Sequence, residues 1–288
     1  MTLATTADLL ADAYARGTGL AALNVITLEH AEGTVLGAEQ AGLPVVLQVS
    51  QNAAKFHLDD PAPLTAALLA LARTSLVPVS LHLDHVTKVE LLHRTAECGF
   101  SSVMFDAGPL PYDENVASTR EAVAWGHEHG LLVEAELGYV GWKASQVESA
   151  HGTGVRTDPD QAREYVAATG VDALAVAVGS RHAMTSADAE LDLDLVARLR
   201  AAVDVPLVLH GSSGVPQPGI AAAIVAGMTK VNIGTITTVA FTRAIRQHLA
   251  DLPEVTDPRQ YLAPARKAVS GLVAELVSTV ALAGARAS

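Results

Sequence analysis

The sequence has a single cysteine, Cys98, among 288 residues. No disulfide can form within the chain, which fits a reducing, cytoplasmic setting. Positive charge is also scarce: 19 Lys and Arg stand against 31 Asp and Glu, a formal net charge of -12. Nucleic-acid binders need a basic face for phosphates, so this balance argues against that class. A local basic pocket for a small anion stays compatible with it. No run of eighteen apolar residues passes without polar interruption, so no membrane span is expected. Residues 1–20 carry Asp8, Asp12 and Arg16 and lack the apolar core of a signal peptide.

What is present is hydrophobic residue in short runs. Half the chain is apolar, enough for one large core. Candidate strands are AALNV (21–25), PVVLQVS (44–50), PVSLHLD (78–84), SSVMFD (101–106), LLVEAEL (131–137), VDALAVAVG (171–179), VPLVLHG (205–211) and TKVNIG (229–234). Most have the continuous apolar character of parallel strands buried on both faces. Helix-like segments lie between them, at 30–41, 60–73, 114–129 and 158–168. Asp158 is a candidate N-cap with Pro159 in the first turn. Gly42, Gly99, Gly130, Gly170 and Gly227 fall just before strands, where helices end. Eight alternations predict an α/β fold: a single (β/α)8 barrel over residues 1–288, with an open doubly wound sheet as the alternative. A long Gly- and Ser-rich loop follows strand five at 138–157, placed for a lid or for a surface excursion. The tail from 263 reads as an amphipathic helix ending in small residues.

A barrel puts its chemistry at the C-terminal ends of its strands. Those ends are polar here: Asn24, Ser50, Asp84 with His85, Asp106, Glu134 with Glu136, His182, His210 and Asn232. His85, His182 and His210 each follow a strand aimed at the same face. Three imidazoles with one open position suit a catalytic zinc ion; three separately packed histidines are the alternative. His82 sits one pleat further back, as a structural residue. The stretch LVLHGSSG (207–214) and the stretch KVNIGTIT (230–237) offer two adjacent turns able to hold a phosphate, or two ordinary structural turns. Neither is a Walker A loop or a nucleophile elbow. Lys230 invites a Schiff-base reading, but no second lysine accompanies it and the histidines would be left unexplained.

Several long stretches resemble the class II, metal-dependent ketose-bisphosphate aldolases. They are LHLDH (81–85), CGFSSVMFDAG (98–108), VEAELG (133–138), TDPDQAREYVAATGVDALAVAVGSRH (157–182), PLVLHGSSG (206–214), KVNIGT (230–235) and DPRQYLAPARKAV (257–269). The branch that cleaves fructose or tagatose bisphosphates looks most similar. The resemblance implies a Zn2+ ion on His85, His182 and His210, with Glu136 as a nearby carboxylate able to hold a displaced ion. It implies Asp84 as the acid/base at the C4 oxygen. Gly179, Gly211 and Ser213 would surround the substrate phosphate and a monovalent cation, Na+ or K+. Asn24, Ser50, Asn232, Gly234 and Thr235 would contact substrate. A phosphorylated sugar substrate and a homodimer or homotetramer are implied as well.

The sequence departs from that family in the strand-five loop. The family pattern there is Gly-Gly, one residue, then Glu-Asp; this chain has Gly141-Trp142-Lys143-Ala144-Ser145. Ala144 replaces a glutamate that moves a proton, and Glu148 is the candidate stand-in. Ser180-Arg181-His182-Ala183 replaces Thr-Ala-His-Gly, and Ile236 replaces an acidic residue. Three functions therefore stay in view: an aldolase for a phosphorylated ketose, a lyase for a non-standard sugar phosphate, and a catalytically weak zinc and phosphosugar binder.

Overall fold

The structure is a computed structural model and describes residues 2–138, 156–180 and 188–282. Eight parallel strands close into a barrel in sequence order. They are β1 (Leu20–Asn24), β2 (Val45–Ser50), β3 (Val79–Val86), β4 (Ser102–Phe105), β5 (Leu132–Leu137), β6 (Ala173–Val176), β7 (Leu207–Leu209) and β8 (Met228–Ile233). The ring closes through β1 and β8, with Ala22 opposite Asn232. The fold is a (β/α)8 barrel, as the alternation predicts, and the open sheet is excluded.

Strand parity sorts the side chains. Leu23, Val45, Leu47, Leu81, Leu83, Val133 and Val231 point outward and join the large core beneath the helices. Leu20, Ala22, Val46, Ala173, Ala175 and Val208 point inward and form a separate apolar plug. Helix α1 (Thr6–Arg16) closes the floor by adding Leu10 and Ala13 to that plug. Its Thr6 hydroxyl accepts from Ser102 Oγ at 2.8 Å, which ties the helix to the barrel interior. The sequence patterning had not marked this first helix.

Around the barrel run α2 (Leu28–Ala41), α3 (Gln51–Phe56), α4 (Ala62–Thr74), α5 (Val89–Glu97), α6 (Tyr112–Glu128), α7 (Pro159–Thr169), α8 (Leu193–Ala202), α9 (Gln217–Ala226), α10 (Thr235–Asp251) and α11 (Pro258–Val280), and α2, α7 and α9 end at the glycines Gly42, Gly170 and Gly227. Helix α2 (Leu28–Ala41) stops at Gly42, whose φ of 67° is left-handed and favours a residue without Cβ. Helix α7 (Pro159–Thr169) starts at Asp158, whose carboxylate accepts from the amides of Asp160 and Gln161. The 114–129 segment folds as α6 (Tyr112–Glu128), and the 60–73 segment as α4 (Ala62–Thr74). The tail helix begins before residue 263: α11 runs Pro258–Val280, capped by Asp257, with Pro264 inside it. That internal proline hides the first turn from a reading by pattern.

Helix α2 lies very close to α11. A Cβ on Gly37 would stand 2.5 Å from the Ser270 carbonyl, and one on Gly33 would stand 2.9 Å from the Arg266 carbonyl. These two glycines, one turn apart, let the backbones touch. The contact anchors the tail helix against the barrel wall.

Candidate active site

Above the apolar plug, the barrel interior turns polar. Gln48, His82, Asp84, Glu134, Glu136, His210, Lys230 and Asn232 are all buried. Charge in such a place is costly unless paired, and here the groups pair with one another.

Asp84 and His85 are neighbours in sequence, and an ideal strand would send them to opposite faces. A bulge resolves this. Leu83 pairs with Val103, yet Val86 pairs with Phe105, so β3 carries one extra residue at this point. His85 takes a left-handed φ of 51°, an uncommon conformation for a residue with a Cβ, at a cost of about 1 kcal/mol or more. Leu83 and Val86 both stay in the outer core. Asp84 and His85 both turn to the barrel mouth.

Two imidazoles meet there. The rings of His85 and His210 have centroids 5.0 Å apart, edge to face. Each has one nitrogen tied to a carboxylate behind it. His85 Nδ1 is 2.9 Å from Asp106 Oδ2, and His210 Nε2 is 2.9 Å from Glu134 Oε1. Asp106 is itself fixed, since its other oxygen accepts from the Gly108 amide at 3.1 Å. Carboxylate-backed imidazoles of this kind are the usual support for a metal ligand. Asp84, His85 and His210 each offer one ligand atom, all within 4.8 Å of one another. Glu136 Oε2 is 2.9 Å from His210 Nδ1, on the same side. Two nitrogens and neighbouring carboxylate oxygens suit a divalent ion such as zinc. The third expected histidine, His182, lies outside the described residues, as do Arg181, Glu148, Ala144 and Trp142.

The electrostatics form an alternating set. Burial alone would raise the Asp84 carboxyl, but the charge of His85, hydrogen bonding from His82 and the charge of His210 hold it well below the usual carboxylate range. Burial opposes charge on His85, yet the Asp84 carboxylate and the Asp106 hydrogen bond raise it to about 9. Burial also opposes charge on His210, and hydrogen bonds to Glu134 and Glu136 raise it to about 10. Glu134, despite its burial, is held at about 2 by Lys230 and His210. His82 goes the other way: burial and the Lys230 charge lower it. Its Nδ1 is 2.7 Å from Ser102 Oγ and its Nε2 is 3.7 Å from Asp84 Oδ1, which matches the structural role expected of it.

The remaining expected positions gather around the same mouth. Asn232 Nδ2 is 3.5 Å from Asp84 Oδ1. Asn24 Oδ1 accepts from Gln48 Nε2 at 2.7 Å, and a Cβ on Gly234 would collide with the Asn24 amide. Ser50 caps the short helix Gln51–Phe56 by accepting from the Ala53 amide. After β7, Gly211 is left-handed and leads into a 3-10 turn, Ser212–Gly214. After β8, helix α10 (Thr235–Asp251) begins at Gly234, so its first amides open at the barrel mouth. The two turns are joined: the Ile236 amide donates to Ser213 Oγ at 3.3 Å, and Ser212 Oγ donates to the Asn232 carbonyl at 2.6 Å. Gly179, after β6, has a φ of 132° and the Arg156 guanidinium packed on it. Ile236 packs against the outer core.

Gln48 and the anchoring role of Lys230 escaped the sequence reading. Gln48 shares the inward parity of Val46 and Ser50, and that parity was the available signal. For Lys230 the signal was its inward position next to Asn232 on β8.

A model of the class-II fructose-bisphosphate aldolase family matches residues 4–285. The YdjI aldolase of Escherichia coli K12 is 33% identical, with a TM-score of 0.85 over 98% of this chain and 99% of that one. A putative fructose-1,6-bisphosphate aldolase from Coccidioides immitis is 26% identical, also with a TM-score of 0.85, over 97% of both chains. Fructose-bisphosphate aldolase from Campylobacter jejuni shares the fold at 21% identity and a TM-score of 0.80.

Proposed function

The chain belongs to the class-II fructose-bisphosphate aldolase family, and on that premise we propose that it is a zinc-dependent aldolase for a phosphorylated ketose, of the fructose or tagatose 1,6-bisphosphate type. Cleavage would give dihydroxyacetone phosphate and an aldehyde. The observation that supports this most is the convergence of Asp84, His85 and His210 at one point of the barrel mouth.

In this reading His85, His182 and His210 hold the ion, with Glu136 beside it. When bound, zinc supplies a Lewis acid for the negative charge that develops on the ketone side of the broken bond. Asp84 takes the proton from the C4 hydroxyl in cleavage and returns it in synthesis. Its ionised state and the Asn232 amide beside it suit that task. Asn24, Ser50 and Asn232 orient the sugar. Gly179, Gly211, Ser213, Gly234 and Thr235 grip the phosphate, with a monovalent cation, Na+ or K+, near the first three. That remote grip fixes the reacting carbons in place. Glu148 is the proposed proton carrier where Ala144 stands. A homodimer or homotetramer in the cytoplasm completes the reading; among the described residues no helix is long and apolar enough to cross a membrane.

A second reading keeps the chemistry and changes the substrate. It rests on Ile236, half-buried against the core where the family pattern has an acidic residue. A lyase acting on a non-standard sugar phosphate would result. Release of dihydroxyacetone phosphate from a panel of phosphorylated ketoses decides between them. Cleavage of fructose or tagatose 1,6-bisphosphate supports the first reading. Failure on both, with cleavage of another member, supports the second.

A further inference from the structure

Lys230 lies inside the barrel at 1% exposure. An ammonium has three N–H donors and no acceptor. Here three oxygens from three strands surround it: Glu134 Oε2 of β5 at 2.8 Å, Asn232 Oδ1 of β8 at 2.8 Å and Gln48 Oε1 of β2 at 3.3 Å. A buried, fully engaged ammonium is badly placed to attack a carbonyl.

Each of the three arms continues to the barrel mouth. Glu134 reaches His210 Nε2 through its other oxygen. Asn232 reaches Asp84 through its amide nitrogen. Gln48 reaches Asn24. We propose that Lys230 is a positioning residue: through Glu134 it sets the tautomer and direction of the His210 ring, and through Asn232 it holds the amide beside Asp84. The inference rests on the reading of His210 as a metal ligand.

Glu134 has one oxygen on the ammonium and one on His210 Nε2, so its plane cannot rotate without breaking one contact. The carboxylate accepts, so His210 Nε2 carries the hydrogen. When a metal displaces a proton from the ring, Nδ1, the nitrogen on the Glu136 side, is the one left with the lone pair. Removing the ammonium frees the carboxylate and, with it, the ring. Loss of such outer support typically weakens a metal about 10–100-fold.

The test uses Lys230→Met, Glu134→Gln and the double variant. The double variant leaves no orphaned charge, so it remains informative if Lys230→Met does not fold. Zinc affinity of the metal-stripped protein is read by competition with a chromophoric chelator. The visible absorption of the cobalt-loaded protein reports ligand geometry. Lys230→Met should weaken zinc about 10–100-fold and alter the cobalt spectrum. The double variant should bind zinc about 10–100-fold more weakly than the original chain, and within about threefold of Glu134→Gln, because both changes cut one arm. Unchanged zinc affinity and cobalt spectrum in Lys230→Met, or in the double variant, would overturn the proposal, whatever happens to thermal stability. Multiplying effects in the double variant would overturn it as well. If the original chain binds neither zinc nor cobalt, the metal reading itself fails and takes the proposal with it.

Discussion

His85 Nδ1 and Asp106 Oδ2 lie 2.9 Å apart, although 21 residues and one helix separate them in the chain. Asp106 sits just past the end of β4, and the bulge at the end of β3 delivers His85 to it. The pair fixes which imidazole nitrogen faces the barrel mouth. Asp106→Ala should therefore weaken zinc about 10–100-fold. Equilibrium competition with a chelator measures this, and unchanged affinity would remove Asp106 from the metal's support.

Asp84 is the proposed proton carrier at the C4 hydroxyl, and its carboxylate also lies within 4.8 Å of ligand atoms on His85 and His210. Asp84→Asn separates these tasks, because the amide keeps the shape and loses the base. The turnover rate should fall by about 10²–10⁴-fold, while zinc content stays near that of the original chain. Loss of the metal with the activity would mean that Asp84 acts as a ligand instead.

Proton release should accompany zinc binding, and its sign follows from the histidines. In the metal-stripped protein, His85 is raised to about 9 and His210 to about 10. Groups raised above their unfolded value stabilise the fold fully below about pH 6.5. That contribution is lost as pH rises through about 9 and then about 10. Zinc must displace the same protons, so its apparent affinity should rise with pH from 6 to 9, by up to about tenfold per unit for each proton released. Calorimetry in buffers of different ionisation enthalpy counts those protons. An affinity flat across this range would contradict the charged histidines.

Two glycines separate crowding from backbone strain. Gly37→Ala forces a methyl onto the Ser270 carbonyl and the Val273 side chain, and should cost about 1–3 kcal/mol of stability. Gly42→Ala meets nothing within 4 Å but must hold a φ of 67°, and should cost about 1–2 kcal/mol. Denaturant midpoints read both. A Gly37→Ala change that costs nothing would refute the close α2–α11 contact.

Much of the barrel was legible in the chain because its signals are local. Apolar runs mark the strands, and residues such as Gly42, Gly170 and Asp158 mark helix ends through their own backbone needs. Polar residues at the ends of otherwise apolar runs stand out, which is how Asp84, His85, His210 and Asn232 were found. Their partnerships were not legible. Lys230 and Glu134 are 96 residues apart, and no spacing rule joins them until the barrel closes. The bulge at His85 depends on the register between β3 and β4, a pairing no single strand encodes. Helix α1 does carry local end signals, Thr5 at its start and Gly17 at its end; what no local signal gives is its place as the plug of the barrel floor.

In the proposed function, an ion held at His85 and His210 carries the carbon–carbon cleavage. The most direct measurement titrates zinc into metal-stripped protein and follows dihydroxyacetone phosphate release from the ketose bisphosphate panel. Release should be absent without metal and should rise with added zinc, levelling off at about one ion per chain. Full release from metal-stripped protein, unchanged by added zinc, would contradict the proposed function.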